Sequence, residues 1–166
     1  MKTIFRDKLR GSVTVKVVCL LILTAAATGF LTNPLTSSAV KVNNKAPVKI
    51  AQVTLKQQKE SALTNAKGFA LYFYDDDKDP TKPDCNIKTN KACTKAWPPL
   101  LLKSRVIPPV SGLSGELVIT KNVNGLQVTY GGHLLYTYKN DKKPLVASGD
   151  GVGGNWHVAT PDSAVA

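Results

Sequence analysis

The sequence predicts an all-β fold: one small domain of two related antiparallel β halves packed with pseudo-two-fold symmetry, preceded by an N-terminal signal helix. Three observations carry this. A 13-residue pattern occurs twice, starting at Gly68 and Gly132. Short runs of alternating apolar and polar residues are separated by glycine and proline. The chain opens with basic residues, then an apolar run, then small residues.

The opening segment comes first. Lys2, Arg6, Lys8, Arg10 and Lys16 precede residues 17–31, a mostly apolar run of 15 residues. Ser37, Ser38 and Ala39 then place small residues at positions −3 and −1 of a cut after Ala39. This is the order of a secretory signal peptide over residues 1–39. The run is shorter than the roughly 20 apolar residues a bilayer span needs, so an uncleaved anchor is the secondary reading. Cys19 lies inside the run without the small residues that precede a lipoprotein cysteine, and is not read as a lipid attachment site. Residues 40–47 read as a polar linker.

The β domain is expected over residues 48–162, with repeat halves of about 48–110 and 111–162. Ala51, Val53 and Leu55 alternate with Gln52, Thr54 and Lys56. Residues 117–120 form a short β-rich run, and Leu126, Val128 and Tyr130 alternate with Gln127 and Thr129. Asn124-Gly125 and Gly131-Gly132 suit tight hairpin turns. No segment after residue 40 keeps a helical period; the nearest, "LKQQKESALTNA" from Leu55, reads as a short helix or a loop.

The repeat is the most informative feature. "GFALYFYDDDKDP" and "GHLLYTYKNDKKP" share G-x-x-L-Y-x-Y-x-x-D-K-x-P at an offset of 64 residues. Gly68 and Gly132 open a turn before a strand. Tyr72 and Tyr74, like Tyr136 and Tyr138, lie two apart and so on one strand face. Asp77 and Asp141 would close the strand by accepting from nearby backbone N–H groups, and a proline then stops ladder pairing. A tryptophan follows each copy, Trp97 and Trp156. Two tyrosines and a tryptophan per half supply much of a small core. Two such halves would pack about an approximate two-fold axis.

These residues resemble a bacterial secreted lipoprotein repeat family of unknown function, known by a Y-x-[FWY]-x-x-D motif. Residues 72–77 match the motif and residues 136–141 match it again. "CTKAWPPLL" from Cys93 and "GDGVGGNWHVATPD" from Gly149 resemble further segments of the family. The resemblance covers residues 48–162 and implies an envelope location without an established enzymatic activity. The chain departs from it in lacking the lipoprotein cysteine and in the wider spacing between Cys85 and Cys93.

Charge and side-chain chemistry bound the function. The net charge is +11; beyond residue 39, 17 cations against 10 acids leave +7, and Arg105 is the one arginine there. The lysines are scattered, with neither the arginines of base readout nor a basic groove with stacking aromatics, so no nucleic-acid partner is expected. After the signal segment Cys85 and Cys93 remain, an even pair that suggests a disulfide in an exported chain. Metal binding is the weaker reading of that pair, since the spacing is not C-x-x-C and no histidine is near in sequence. Asp75, Asp77 and Asp79 alternate like the start of a calcium loop. Pro80 and Asn86 stand where such a loop wants glycine and glutamate, and only Asp77 has an acidic counterpart in the second copy. His133 and His157 are the two histidines; His133 takes the place of Phe69 in the first copy, and no haem-attachment motif is present. Neither "GDGVGGNW" nor "SGLSGE" fits a phosphate loop or a nucleophile elbow. The expectation is a non-catalytic binding or structural module with no cofactor, exported to the periplasm, cell surface or exterior. It would meet an envelope partner or ligand, and touch the membrane only through an uncleaved signal segment. The alternative is a metal- or redox-associated envelope protein using the acidic loop, a histidine or the disulfide.

Overall fold

Alternating side chains fold back on themselves from Val48 onward in the computed structural model, which describes residues 46–163. The expected signal helix, and residues 40–45 of the expected linker, lie outside the described residues. Strand β1 (Val48–Leu55) pairs antiparallel with β2 (Gln58–Asn65). Strand β3 (Tyr72–Tyr74) carries the first tyrosine pair, and a helix of one and a half turns, α1 (Lys91–Ala96), follows the cysteine loop. Strand β4 (Leu117–Asn122) pairs with β5 (Gly125–Tyr130), which pairs with β6 (His133–Leu134); β7 (Trp156–Val158) returns to pair with β3. The described residues are thus mostly strands in small antiparallel sheets, as an all-β reading expects.

The segment from Leu55, expected as a helix or loop, is instead the end of β1, a hairpin turn and the whole of strand β2. Lys56 and Gln57 form the two-residue turn with φ of 46° and 70°. Both are left-handed without being glycine, asparagine or aspartate, which is why the turn carried no sequence signal. Ala62, Leu63 and Thr64 are buried in succession because β2 is covered on both faces. The Gly131-Gly132 turn has the expected left-handed pair, φ 53° and 88°. At the other predicted turn, Val123 and Asn124 make the reversal and Gly125 starts β5. Helix α1 is too short to show a period; Asn90 accepts from the Cys93 backbone N–H at 3.2 Å to cap it.

Period-two alternation feeds two cores rather than one core and solvent. Ala70, Tyr72, Leu134 and Tyr136 face a cluster containing both tryptophans. Leu71 and Leu135 face the opposite way, into a cluster with Leu63, Val128 and Tyr130. Tyr72, Tyr136, Leu71 and Leu135 are each fully buried. These central strands therefore read as near-continuous apolar runs, "ALY" and "LLY". Cys85 and Cys93 form a disulfide, and Cys85 is buried in the tryptophan cluster. The closed loop is short, worth about 2–3 kcal/mol by the chain-entropy estimate.

The left-handed turn yields a prediction. Gln57→Gly relieves the side-chain clash at φ 70° against a larger unfolded-state entropy, and should stabilise the domain by roughly 0.5–1 kcal/mol. Urea unfolding of the two proteins, at unchanged m, measures it.

Candidate functional site

The repeated residues meet at one place. The backbone N–H of Tyr72 donates to the carbonyl of Tyr136 at 2.9 Å, and the N–H of Tyr136 donates to the carbonyl of Tyr72 at 2.9 Å. The two motif strands thus lie side by side as a hydrogen-bonded antiparallel pair. Each strand then turns at its aspartate, closed by Asp77 N–H to Tyr74 O and Asp141 N–H to Tyr138 O.

The two aspartates do more than cap their own turns. The Tyr136 hydroxyl donates to Asp77 Oδ2 at 2.5 Å, and the Tyr72 hydroxyl donates to Asp141 Oδ2 at 2.8 Å. Each carboxylate therefore belongs to the tyrosine of the other copy. The second oxygen of each holds a loop seven residues on: Asp77 Oδ1 accepts from Asp84 N–H at 2.7 Å, and Asp141 Oδ1 from Ser148 N–H at 2.9 Å. Both aspartates are buried, each 6% exposed, and both are saturated with donors, as buried carboxylates must be. Burial pushes the Asp77 carboxyl above its usual 3.8, partly offset by its bond from Tyr136. Burial first, and the carboxylate partner after it, raises the Tyr72 and Tyr136 phenols far above their usual 10, so both stay neutral donors.

The tryptophans exchange places in the same way. The strand of Trp156 pairs with β3, Tyr74 opposite Trp156. The segment after Trp97 pairs with the second motif strand, Pro99 opposite Tyr136. The indoles of Trp97 and Trp156 stack at 3.8 Å between centroids with planes 2° apart. Tyr138 stacks on the outer face of Trp97 at 4.1 Å and Tyr74 on Trp156 at 4.6 Å, making a stack of four rings. Tyr72 meets Trp97, and Tyr136 meets Trp156, edge-on at 5.3 Å. Gly149 leaves room for this: a Cβ there would lie 2.8 Å from Trp97 Cη2 and 3.0 Å from Tyr138 Cδ1.

The remaining candidates go elsewhere. Asp75 Oδ2 lies 2.8 Å from His157 Nε2, Asp76 accepts from Asn155 Nδ2 at 3.0 Å, and Asp79 accepts from Thr81 N–H at 2.9 Å. The alternating aspartates thus turn to separate protein partners, and among the described residues no group of three His, Cys, Asp or Glu is placed to hold a metal ion. His133 and His157 both pack against Phe73, at 4.5 and 5.4 Å. Burial holds the His133 imidazole below its usual 6.5, so it is largely neutral at pH 7.

Residues 118–160 match the family described as a secreted repeat of unknown function, Lipoprotein_15. The matched span contains the second copy of the internal motif. The first copy lies outside the matched span and is tied to it by the shared motif and the reciprocal contacts above. The family's description as secreted agrees with an exported protein. No curated protein and no solved structure matches the chain.

Sequence reasoning found the tyrosines, aspartates and tryptophans but assigned each aspartate to its own half. It also missed Ala96 and Asn155, which precede the tryptophans. The first copy carries five extra residues between tyrosine and tryptophan, which hides their correspondence.

The reciprocal bonds give two measurable expectations. Tyr136→Phe leaves a buried carboxylate oxygen short of a donor and should cost about 1–3 kcal/mol in urea unfolding. The second concerns pH. Because the native pKa of Asp77 is raised, its contribution to stability is complete below 3.8 and is lost as pH rises through the native value. The stability of wild type minus that of Asp77→Asn should therefore fall from acid toward neutral pH. A flat difference would show that burial does not shift this carboxyl.

Proposed function

We propose that the chain is an exported, non-catalytic binding module whose two repeats, related by an approximate two-fold axis, hold a rigid surface at the cell envelope. The single observation behind this reading is the use made of the reactive side chains. The two tyrosine–aspartate pairs and both tryptophans are spent on joining one repeat to the other, and the disulfide closes a loop within the first repeat. What varies between the copies is the exposed chemistry around the shared frame. Residues 75–79 hold four aspartates and one lysine, whereas residues 139–143 hold three lysines and one aspartate.

The lysine-rich surface favours anionic envelope material as the partner, through attraction that weakens with salt. The signal segment over residues 1–39 delivers the domain and is removed. The test is co-sedimentation of the mature protein with isolated envelope fragments over a range of salt. Saturable retention at low salt, lost toward 1 M, with the fragments chemically unchanged, is the expected outcome. No retention at any salt, or chemical turnover of the fragments, would refute the reading.

A further inference from the structure

The two ends of the aromatic stack are built alike and finished differently. In the first copy the N–H of Asp75 donates to the carbonyl of Asn155 at 2.9 Å; in the second the N–H of Lys139 donates to the carbonyl of Ala96 at 2.8 Å. Asn155 and Ala96 therefore occupy equivalent places, each just before its tryptophan. Asn155 fills its place: Nδ2 donates to the Tyr74 hydroxyl at 3.3 Å and to Asp76 at 3.0 Å. Ala96 ends at Cβ. Beside it lies a cavity of about 430 Å³, open on one side, whose lining includes Lys95, Trp97, Tyr138, Lys139 and Asn140 and the apolar Val152.

We infer that this cavity is a binding site for an anionic sugar, one ring of a carboxylated or phosphorylated glycan. The inference rests on the envelope-binding reading and supplies its ligand class and place. The floor offers the outer face of Tyr138, on which a sugar ring lies flat, while Trp97, stacked on both faces, supports Tyr138 from behind. Lys95 and Lys139 stand at the wall, both exposed, as donors for one carboxylate or phosphate. Asn140 Nδ2 donates to the Tyr138 hydroxyl at 3.1 Å, which leaves the amide oxygen, a second amide hydrogen and the Tyr138 O–H for ring hydroxyls. An aromatic acid would leave these polar groups unmatched. The first end of the stack is the internal contrast: Asn155 fills it, and Asp75 and Asp76 replace Lys139 and Asn140, so an anion is repelled there.

The test is a titration of the mature protein with glucuronic acid, followed by backbone amide NMR, with glucose and benzoate as comparison ligands. Glucuronic acid should shift amides at residues 95–97 and 138–140, with a Kd on the order of 1 mM for a single ring. Glucose, which lacks the charge, and benzoate, which lacks the hydroxyls, should bind at least about tenfold more weakly, a difference of one good polar contact. Ala96→Asn copies the filled end and should abolish the shifts while the spectrum stays dispersed. Lys139→Glu, an exposed change, should do the same if Ala96→Asn fails to fold. Equal binding by glucose or benzoate, shifts confined to other residues, or unchanged binding by both variants would overturn the site. Loss of glucuronic acid binding with envelope retention intact would sink this assignment alone; loss of both would sink the broader reading with it.

Discussion

The structure depends on two buried hydrogen bonds that cross between the repeats, Tyr136 to Asp77 and Tyr72 to Asp141. A carboxylate without a neighbouring cation is costly to bury, and each of these is stable inside only because its oxygens are filled by donors. One donor comes from a loop of its own repeat and one from the tyrosine of the other. Neither repeat can satisfy its aspartate alone, so neither core closes without the other. The antiparallel pair between Tyr72 and Tyr136 places the two bonds side by side.

Other features follow from this junction. With the motif strands adjacent, the returning segments of Trp97 and Trp156 cross to the opposite repeat and meet face to face. Stacking of such rings contributes about 0.5–1.5 kcal/mol per pair beyond burial, and three contacts run through the four-ring stack. The Cys85 carbonyl accepts from Asn124 Nδ2 at 3.0 Å, and Gln127 Oε1 accepts from Asn122 and Asn124 at 3.1 Å each. The cysteine loop of the first repeat is thereby fixed to a hairpin of the second. The frame is redundant in the middle and free to differ at its ends, which is where the acidic and basic finishes of the stack appear.

Much of this was legible along the chain because it is local. The alternation of Ala51, Val53 and Leu55, the left-handed glycines 131 and 132, and the paired cysteines all act within a few residues of themselves. The repeat identified which residues share a role. It did not identify their partners, since similarity at Asp77 and Asp141 says nothing of which tyrosine each one meets. The β1–β2 turn was invisible because Lys56 and Gln57 accept a left-handed backbone that the two-residue reversal between paired Leu55 and Gln58 imposes. Helix α1 spans six residues, too few for periodicity. The contrast of Ala96 with Asn155 emerged only from equivalent backbone bonds, because an insertion of five residues displaced the first tryptophan in sequence.

If the crossed bonds make the repeats one cooperative unit, their strands must open together. Native-state hydrogen exchange in low denaturant measures this directly at the amides of Tyr72 and Tyr136, one in each repeat. The account predicts that both exchange only through global unfolding, with equal free energies and equal dependence on denaturant. Exchange of one repeat through a cheaper opening, while the other stays protected, would contradict it.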